Sequence, residues 1–395
     1  MGRLTRAEMR ELNRAKVLAA ARDEFTESGF REAKIDGIAE RAGLTRGAVY
    51  SNFPGKRALY FAVLADLAEH PPDAPFPGSE HELARRTPEV PYPDRDLAGH
   101  ASKGSLSDPG RSAREALGAF ARAWVARLPL ASDEWNGPAR LGMDLMPEIL
   151  ADEQTRRPFA QLMKLDAILL GLALERLSPT GGPSGAAAGR RVRVAEAVLT
   201  ALHGTSQMAA AAPGFGDPFD VVSVCERLAG LELDDVWAPP HLPWIPEARP
   251  ADEPWSPPPM LDAVRGEPAR PAVDGVVAIL GLHRLEAVEE AVRAAPPGAE
   301  VTAVLVTGDP DELMPLARLA VAEIRTCLRA AFPPSAWPHL RVVYDETGSL
   351  AARAGVPAVG DATEAAIRVE GGRVVARADG RGACHAAATA GRHRP

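Results

Sequence analysis

Apolar residues recur along this chain with two different spacings, and the change from one to the other divides it. Through the first 237 residues the spacing is helical. Val17, Leu18, Ala21 and Phe25 share one face that ends near Ser28-Gly29, and Ile35, Ile38, Ala39 and Ala42 repeat it up to Gly43. Thr45 is placed to cap a further helix over 46–53, whose Val49 and Phe53 turn back to the same core, and Lys56 opens the next. Three later stripes follow the same period: Leu117, Phe120, Trp124 and Leu128; Phe159, Met163, Leu170, Ala173 and Leu177; Val194, Val198, Ala201, Thr205 and Met208. A helix over 218–231 completes this part.

After residue 271 the spacing changes. VVAIL (276–280), VTAVLV (301–306) and LRVVY (340–344) are short, β-branched and apolar throughout, as strands buried in a parallel sheet are. Helices are expected between them over 284–295 and 314–332. Asp309 announces the second as N-cap, with Pro310 in first position and Glu312 placed for a capping box. AAIRVEGGRVVAR (365–377) reads as a hairpin turning at Gly-Gly. The chain is therefore multidomain, all-α first and α/β last. The expected divisions are 1–67, a helix-turn-helix domain; 68–112, a Pro/Gly-rich flexible segment; 113–237, a helical ligand-binding and dimerisation domain; 238–271, a Pro-rich linker or strap; 272–385, the α/β domain; and 386–395, a tail.

Charge sharpens the picture. The net charge is −8, yet residues 1–60 carry 12 Lys/Arg against 8 Asp/Glu, leaving an acidic remainder. A basic head on an acidic body suits a module that binds double-stranded DNA. Two short helices joined by a tight glycine turn, the second one capped, are what insertion into a major groove requires. The polar face of 46–53 presents Arg46, Gly47, Ala48, Tyr50, Ser51 and Asn52. Arg46 and Asn52 can reach bases or phosphates, Gly47 allows close approach, and Tyr50 offers a hydroxyl. The competing reading of this segment is a small helical core with an ordinary polar face.

The run GFREAKIDGIAERAGLTRGAVYSNFPGKRALYFAVL resembles the DNA-binding motif of the TetR family over about residues 10–67. The resemblance implies that Thr45, Tyr50 and Lys56 contact phosphates while Arg46, Ala48, Ser51 and Asn52 face base edges. It further implies a homodimer built by helices near 190–212 and 218–231, a near-palindromic operator, and release of a repressor by a small-molecule effector. Two positions depart from the pattern. Lys34 stands where a threonine cap is usual, keeping a potential phosphate contact, and Gly55 replaces a common serine before Lys56.

For the effector, Trp124, Trp135, Met143, Met146, Phe159 and Met163 could line an apolar pocket, and Asp166 on an apolar stripe could anchor it; ordinary core packing explains the same residues. VVYDETGSLAARAGV and AAIRVEGGRVVARADGRG resemble the second half of thioredoxin-like domains of the peroxiredoxin type, over about 273–382. The resemblance places a reactive cysteine just after the first strand, where this chain reads GLHRLEAVEEA, and a proline ahead of the hairpin, where it reads GDATEAAI. A redox-inert module, with a protein partner as one possible role, is expected.

The three cysteines, Cys225, Cys327 and Cys384, are too few and too far apart for a disulfide framework or a close-spaced zinc site. No cofactor, metal or catalytic residue is assigned. A thiol-based redox-responsive regulator is the alternative function. An enzyme working through the α/β domain would have to draw on His283, Cys384, His385 and His393. The chain shows neither a membrane-length apolar run nor a signal-peptide pattern, so a cytoplasmic protein is expected.

Overall fold

The computed structural model describes residues 5–70, 112–128, 141–177, 189–217, 219–238, 245–269 and 274–390. Most of the Pro/Gly-rich stretch 68–112 lies outside these, as do Trp135 and His393.

Four helices form the head: α1 (Arg6–Glu32), α2 (Ile35–Ala42), α3 (Arg46–Tyr50) and α4 (Lys56–Glu69). Thr5 and Glu8 cap α1 reciprocally, and the helix is broken at Gly29. Phe25, Phe30 and Tyr60 make the aromatic centre, with ring centroids 4.8–5.9 Å apart. Burial keeps the Tyr60 phenol protonated, and its hydroxyl donates to the Leu141 carbonyl, tying head to body.

The body comprises α5 (Ala113–Val125), a 3-10 turn (Gly142–Asp144), α6 (Leu145–Leu150), α7 (Glu153–Leu177), α8 (Val192–Ala211) and α9 (Asp220–Leu228). Leu117, Phe120 and Trp124 of α5 are buried, as their spacing predicts. The stripe on α8 behaves differently. Val194 and Val198 are buried, but Met208 is 44% exposed, so that end of the stripe faces away from this chain's core.

In the C-terminal region, β1 (Arg249–Pro254) and β4 (Gly275–Gly281) to β8 (Arg373–Asp379) make a sheet ordered β1-β8-β7-β4-β5-β6, with β5 at Glu300–Val306, β6 at Leu340–Tyr344 and β7 at Glu364–Glu370. Strands β4, β5 and β6 are parallel, and β7, β8 and β1 continue antiparallel. Every residue of β4 is buried, as a central strand covered on both faces must be. Its alternate residues serve separate cores. Val276, Ala278 and Leu280 face α10 (Val288–Ala294), α11 (Pro310–Ala331) and α13 (Ala383–Thr389), whereas Val277 and Ile279 pack with α12 (Ser349–Arg353) and Trp255.

Two expectations change. The described part of the Pro-rich segment is folded: β1 adds an edge to the sheet, and a small hairpin, β2 (Met260–Asp262) and β3 (Glu267–Ala269), lies beside β6, where Ala263 N donates to Val342 O at 2.8 Å. Edge positions tolerate proline because half of an edge strand's backbone needs no ladder partner. The tail begins later than expected, since the alanine-rich helix α13 runs to Thr389 and buries Cys384 fully.

One helix belongs to both halves. Asp309 caps α11 as predicted, accepting from Glu312 N at 3.3 Å, but the Glu312 carboxylate turns to Arg57 of α4. Helix α11 is amphipathic, with Arg318, Arg325 and Arg329 in one line, but its buried residues extend beyond the face of Leu313, Val321, Ile324 and Leu328 to Met314, Leu319 and Ala322. A helix buried over so much of its circumference must be covered from more than one side. Here α4, α5 and α7 enclose it on the side away from its own sheet. Arg318 meets Glu69 of α4 at 3.0 Å, and Arg57 also reaches Asp152 at 2.9 Å. A second, half-buried ion network joins the halves through Arg190, Glu289, Arg293 and Glu175. Replacing Ile324 by Ala should cost about 2–5 kcal/mol. Because α11 is shared, urea midpoints read from a probe in the head and from one on the sheet should fall together. A head midpoint that stays put would show that α11 does not join the two.

Candidate nucleic-acid interface and body cavity

The turn between α2 and α3 depends on Gly43, which adopts φ 65 and donates its N–H to the carbonyls of Ala39 and Glu40. A side chain there would strain the left-handed backbone. Two residues on, Thr45 caps α3 by accepting from Ala48 N at 3.2 Å. The helix is shorter than expected and closes in a turn at Ser51-Asn52, while Phe53 N still bonds Val49 O at 3.0 Å. Val49 and Phe53 are buried beneath it, as the spacing predicts.

The opposite side of α3 is open. Thr45, Arg46, Gly47, Tyr50 and Ser51 are exposed, and Ala48 and Asn52 half-buried. In the DNA-free protein Arg46 lies 3.4 Å from Asp36 and over the Tyr50 ring, 5.6 Å from its centroid. Ser51 and Asn52 both donate to the Ala48 carbonyl, at 2.9 and 2.8 Å. Lys34 is exposed at the start of α2, which has no side-chain cap, in keeping with the missing threonine. Helix α4 likewise lacks a side-chain cap at Gly55, so its first N–H groups are open to an anion. Lys56 is less available than its sequence position suggests. Its ammonium donates to the carbonyls of Arg31 and Ala33, both at 3.1 Å, and sits 4.7 Å from the Phe30 ring centre.

Sequence reasoning overlooked Arg14. From α1 it donates to the Asn52 carbonyl at 3.2 Å and stacks on Phe53 at 4.4 Å, fastening the far end of α3. Nothing in the local pattern marks it, since it is one of several arginines on a polar helix face.

In the body, a cavity of about 150 Å³ lies between α5, α7, α8 and α11. Trp124, Met143, Met146, Phe159 and Met163 line it, all from the set proposed on sequence. Asp166 does not line it: the residue is buried behind, with one carboxylate oxygen unpartnered, and burial raises its pKa well above the usual carboxylate range. Leu316, Leu319, Ala320 and Glu323 of α11 form a wall that sequence reading assigned to a separate domain. His203 also faces the cavity, its ring edge-on to Trp124 at 4.8 Å, and burial lowers its pKa to about 4, so the imidazole is neutral. Cavity residues Met143 and Met146 flank Asp144, whose carboxylate accepts from Phe30 N at 3.0 Å where α1 ends.

All three thiols are buried. Burial raises Cys225 to about 12 and Cys327 to about 11, and Cys384 well above its ordinary value. At the position just after β4 stand Leu282 and His283, the latter donating its N–H to Asp361 O at 2.8 Å. Among the described residues there is no cluster of three metal-ligating side chains, and no helix long and apolar enough to cross a membrane.

Comparison with known proteins bears on the head. Residues 17–63 match the family of bacterial regulatory proteins described as the tetR family. The HTH-type transcriptional regulator TtgW of Pseudomonas putida, itself described as uncharacterized, is 43% identical over 76 residues, 19% of this chain and 55% of that one. SrpR, an HTH-type transcriptional regulator of Pseudomonas putida, is 43% identical over 76 residues, covering 19% of this chain and 35% of its own length. The transcriptional activator FasR of Mycolicibacterium smegmatis is 40% identical over 55 residues, 14% of this chain and 25% of FasR. The chain thus spans about half, a third and a quarter of these relatives' own lengths. With its capped α3 and the match across 17–63, the N-terminal region is a helix-turn-helix domain of the TetR type.

Proposed function

We propose that the protein is a dimeric, ligand-responsive repressor that holds a near-palindromic operator and is released from it by a small molecule. The observation that carries this reading is the exposed, threonine-capped α3 within a TetR-family head. On this reading Arg46, Ala48, Ser51 and Asn52 meet base edges. Thr45, Tyr50, Lys34 and the N-terminus of α4 at Lys56 meet phosphates, with Gly47 letting the backbone approach. Leaving Asp36 costs Arg46 little, because an exposed ion pair contributes at most about 1 kcal/mol.

A dimer is supported by the outer face of α8. Ala197, Thr200, Ala201, Gly204, Met208 and Ala211 fall on one side of that helix and none of them is buried, while Val224 of α9 is 45% exposed. A face of small and apolar residues is what close helix-to-helix contact between two copies requires.

The cavity is read as the effector site. Its floor, 142–150, holds the end of α1 through Asp144, and its α11 wall is salt-bridged to α4, so both routes lead to the head. A ligand favouring a DNA-incompetent arrangement of these helices would lower operator affinity by its differential binding, typically about 1–3 kcal/mol.

The C-terminal region is read as thioredoxin-like without thiol chemistry. Its βαβαβ order, closing hairpin and α13 support the fold, and His283 with its neighbours in place of a cysteine supports the inertness. The buried, protonated thiols favour a small-molecule regulator over a redox-responsive one.

Three outcomes on DNA and one on assembly test the reading. In a gel shift with the protein's own upstream DNA, Tyr50→Ala should weaken binding to every sequence alike. Lys34→Ala should reduce the salt slope of log affinity by about 1. Arg46→Ala should erode discrimination at one base pair by about 1–3 kcal/mol, and mutant profiles indistinguishable from the parent's would remove α3 from the interface. By sedimentation, Met208→Glu should shift the protein from dimer to monomer; a monomeric parent would end the two-fold model.

A further inference from the structure

The cavity's polar groups are unevenly satisfied, and that unevenness points to a ligand chemistry. Trp124 Nε1 already donates to Ser206 Oγ at 2.9 Å, and Ser206 Oγ donates to Leu202 O at 3.0 Å. Those two are occupied. His203 is not, since its Nε2 is buried without a partner. Nor is Glu323 of α11, which lines the cavity with no cation in salt-bridge range among the described residues. A carboxylate left without a counter-ion away from bulk water is costly, and burial raises its pKa. Arg127 offsets the burial of this carboxylate only in part, since the pKa stays raised. Asp166 lies behind it with the same sign, and Arg127 is exposed at the rim, where it donates to Cys327 Sγ at 3.2 Å and leans over Trp124 at 5.3 Å.

The remaining lining is aromatic and thioether: Trp124, Phe159, Met143, Met146 and Met163. Such surfaces favour a flat ring, through sulfur–aromatic and edge-to-face contacts. A cavity of this size, about 150 Å³, has room for one benzene-sized ring against its apolar side.

We propose that the cavity takes a single-ring aromatic amine, its ring among Trp124, Phe159 and the methionines and its ammonium donating to Glu323 and to His203 Nε2. The proposal rests on reading the cavity as the effector site, and it makes the C-terminal region, through α11, the part that selects the ligand's charge. A carboxylate ligand is disfavoured, because Glu323 would repel it and Arg127 already faces the Glu323 charge.

The test uses the full chain and three probes of matched size: 2-phenylethylamine, 2-phenylethanol and 3-phenylpropanoate. Binding is followed by calorimetry, and release by polarisation of labelled upstream DNA. The amine should bind tightest, the alcohol about tenfold more weakly and the acid weakest, in line with one hydrogen bond to a charged group. Glu323→Gln should remove the amine's advantage while leaving the alcohol within about threefold, and Glu323→Leu should do the same if the amide disturbs packing. Ala320→Leu, which fills the cavity, should abolish binding of all three. Tightest binding by the acid, or an amine preference that survives both Glu323 variants, would overturn the proposal while leaving the cavity as the effector site. Failure of all three probes to bind, or binding indifferent to Ala320→Leu, would overturn both.

Discussion

The architecture depends on the enclosure of α11. Apart from a line of arginines, so much of α11 is apolar that its own sheet covers only part of it. The rest is buried by α4, α5 and α7, so the C-terminal region completes the core of the helical body. Around that apolar contact, Arg57, Arg318 and Arg190 each hold a carboxylate from the other half, fixing the angle at which the halves meet. Such half-buried ion pairs add orientation more than stability.

This arrangement joins cavity, head and sheet through one continuous set of contacts. The cavity shares its walls between α7 and α11, its floor touches the end of α1, and α11 is bridged to α4. On the proposed reading, a ligand that parted α11 from α7 would act on α4, the helix that precedes the body. Close-packed interfaces respond to such a wedge by shifting as units.

Much of this was legible in the sequence, because it rests on local rules. Thr45 as a cap, Gly43 as a terminator, Val49 and Phe53 as inward anchors and the Gly-Gly hairpin each declare themselves within a few residues. Five cavity residues were legible too, since Trp124, Phe159 and the three methionines are large, adaptable and helically spaced. What escaped reading was everything set by tertiary approach. The periodicity of 310–331 shows a buried helix but not whose core buries it. Glu323 looks like any surface glutamate, and the exposed Met208 looks like core. Arg14 and the folded Pro-rich segment fall in the same class: their partners are far off in the chain, and nothing nearby announces them.

The Arg46–Asp36 contact has a consequence for how the head would search a genome. With no suitable base edge at hand, the guanidinium keeps an acceptor of its own, so wrong DNA must compete with Asp36 for the same donors. Because the pair is exposed to solvent, the cost to any DNA that engages Arg46 is at most about 1 kcal/mol, so the acidic side chain parks the arginine without holding it.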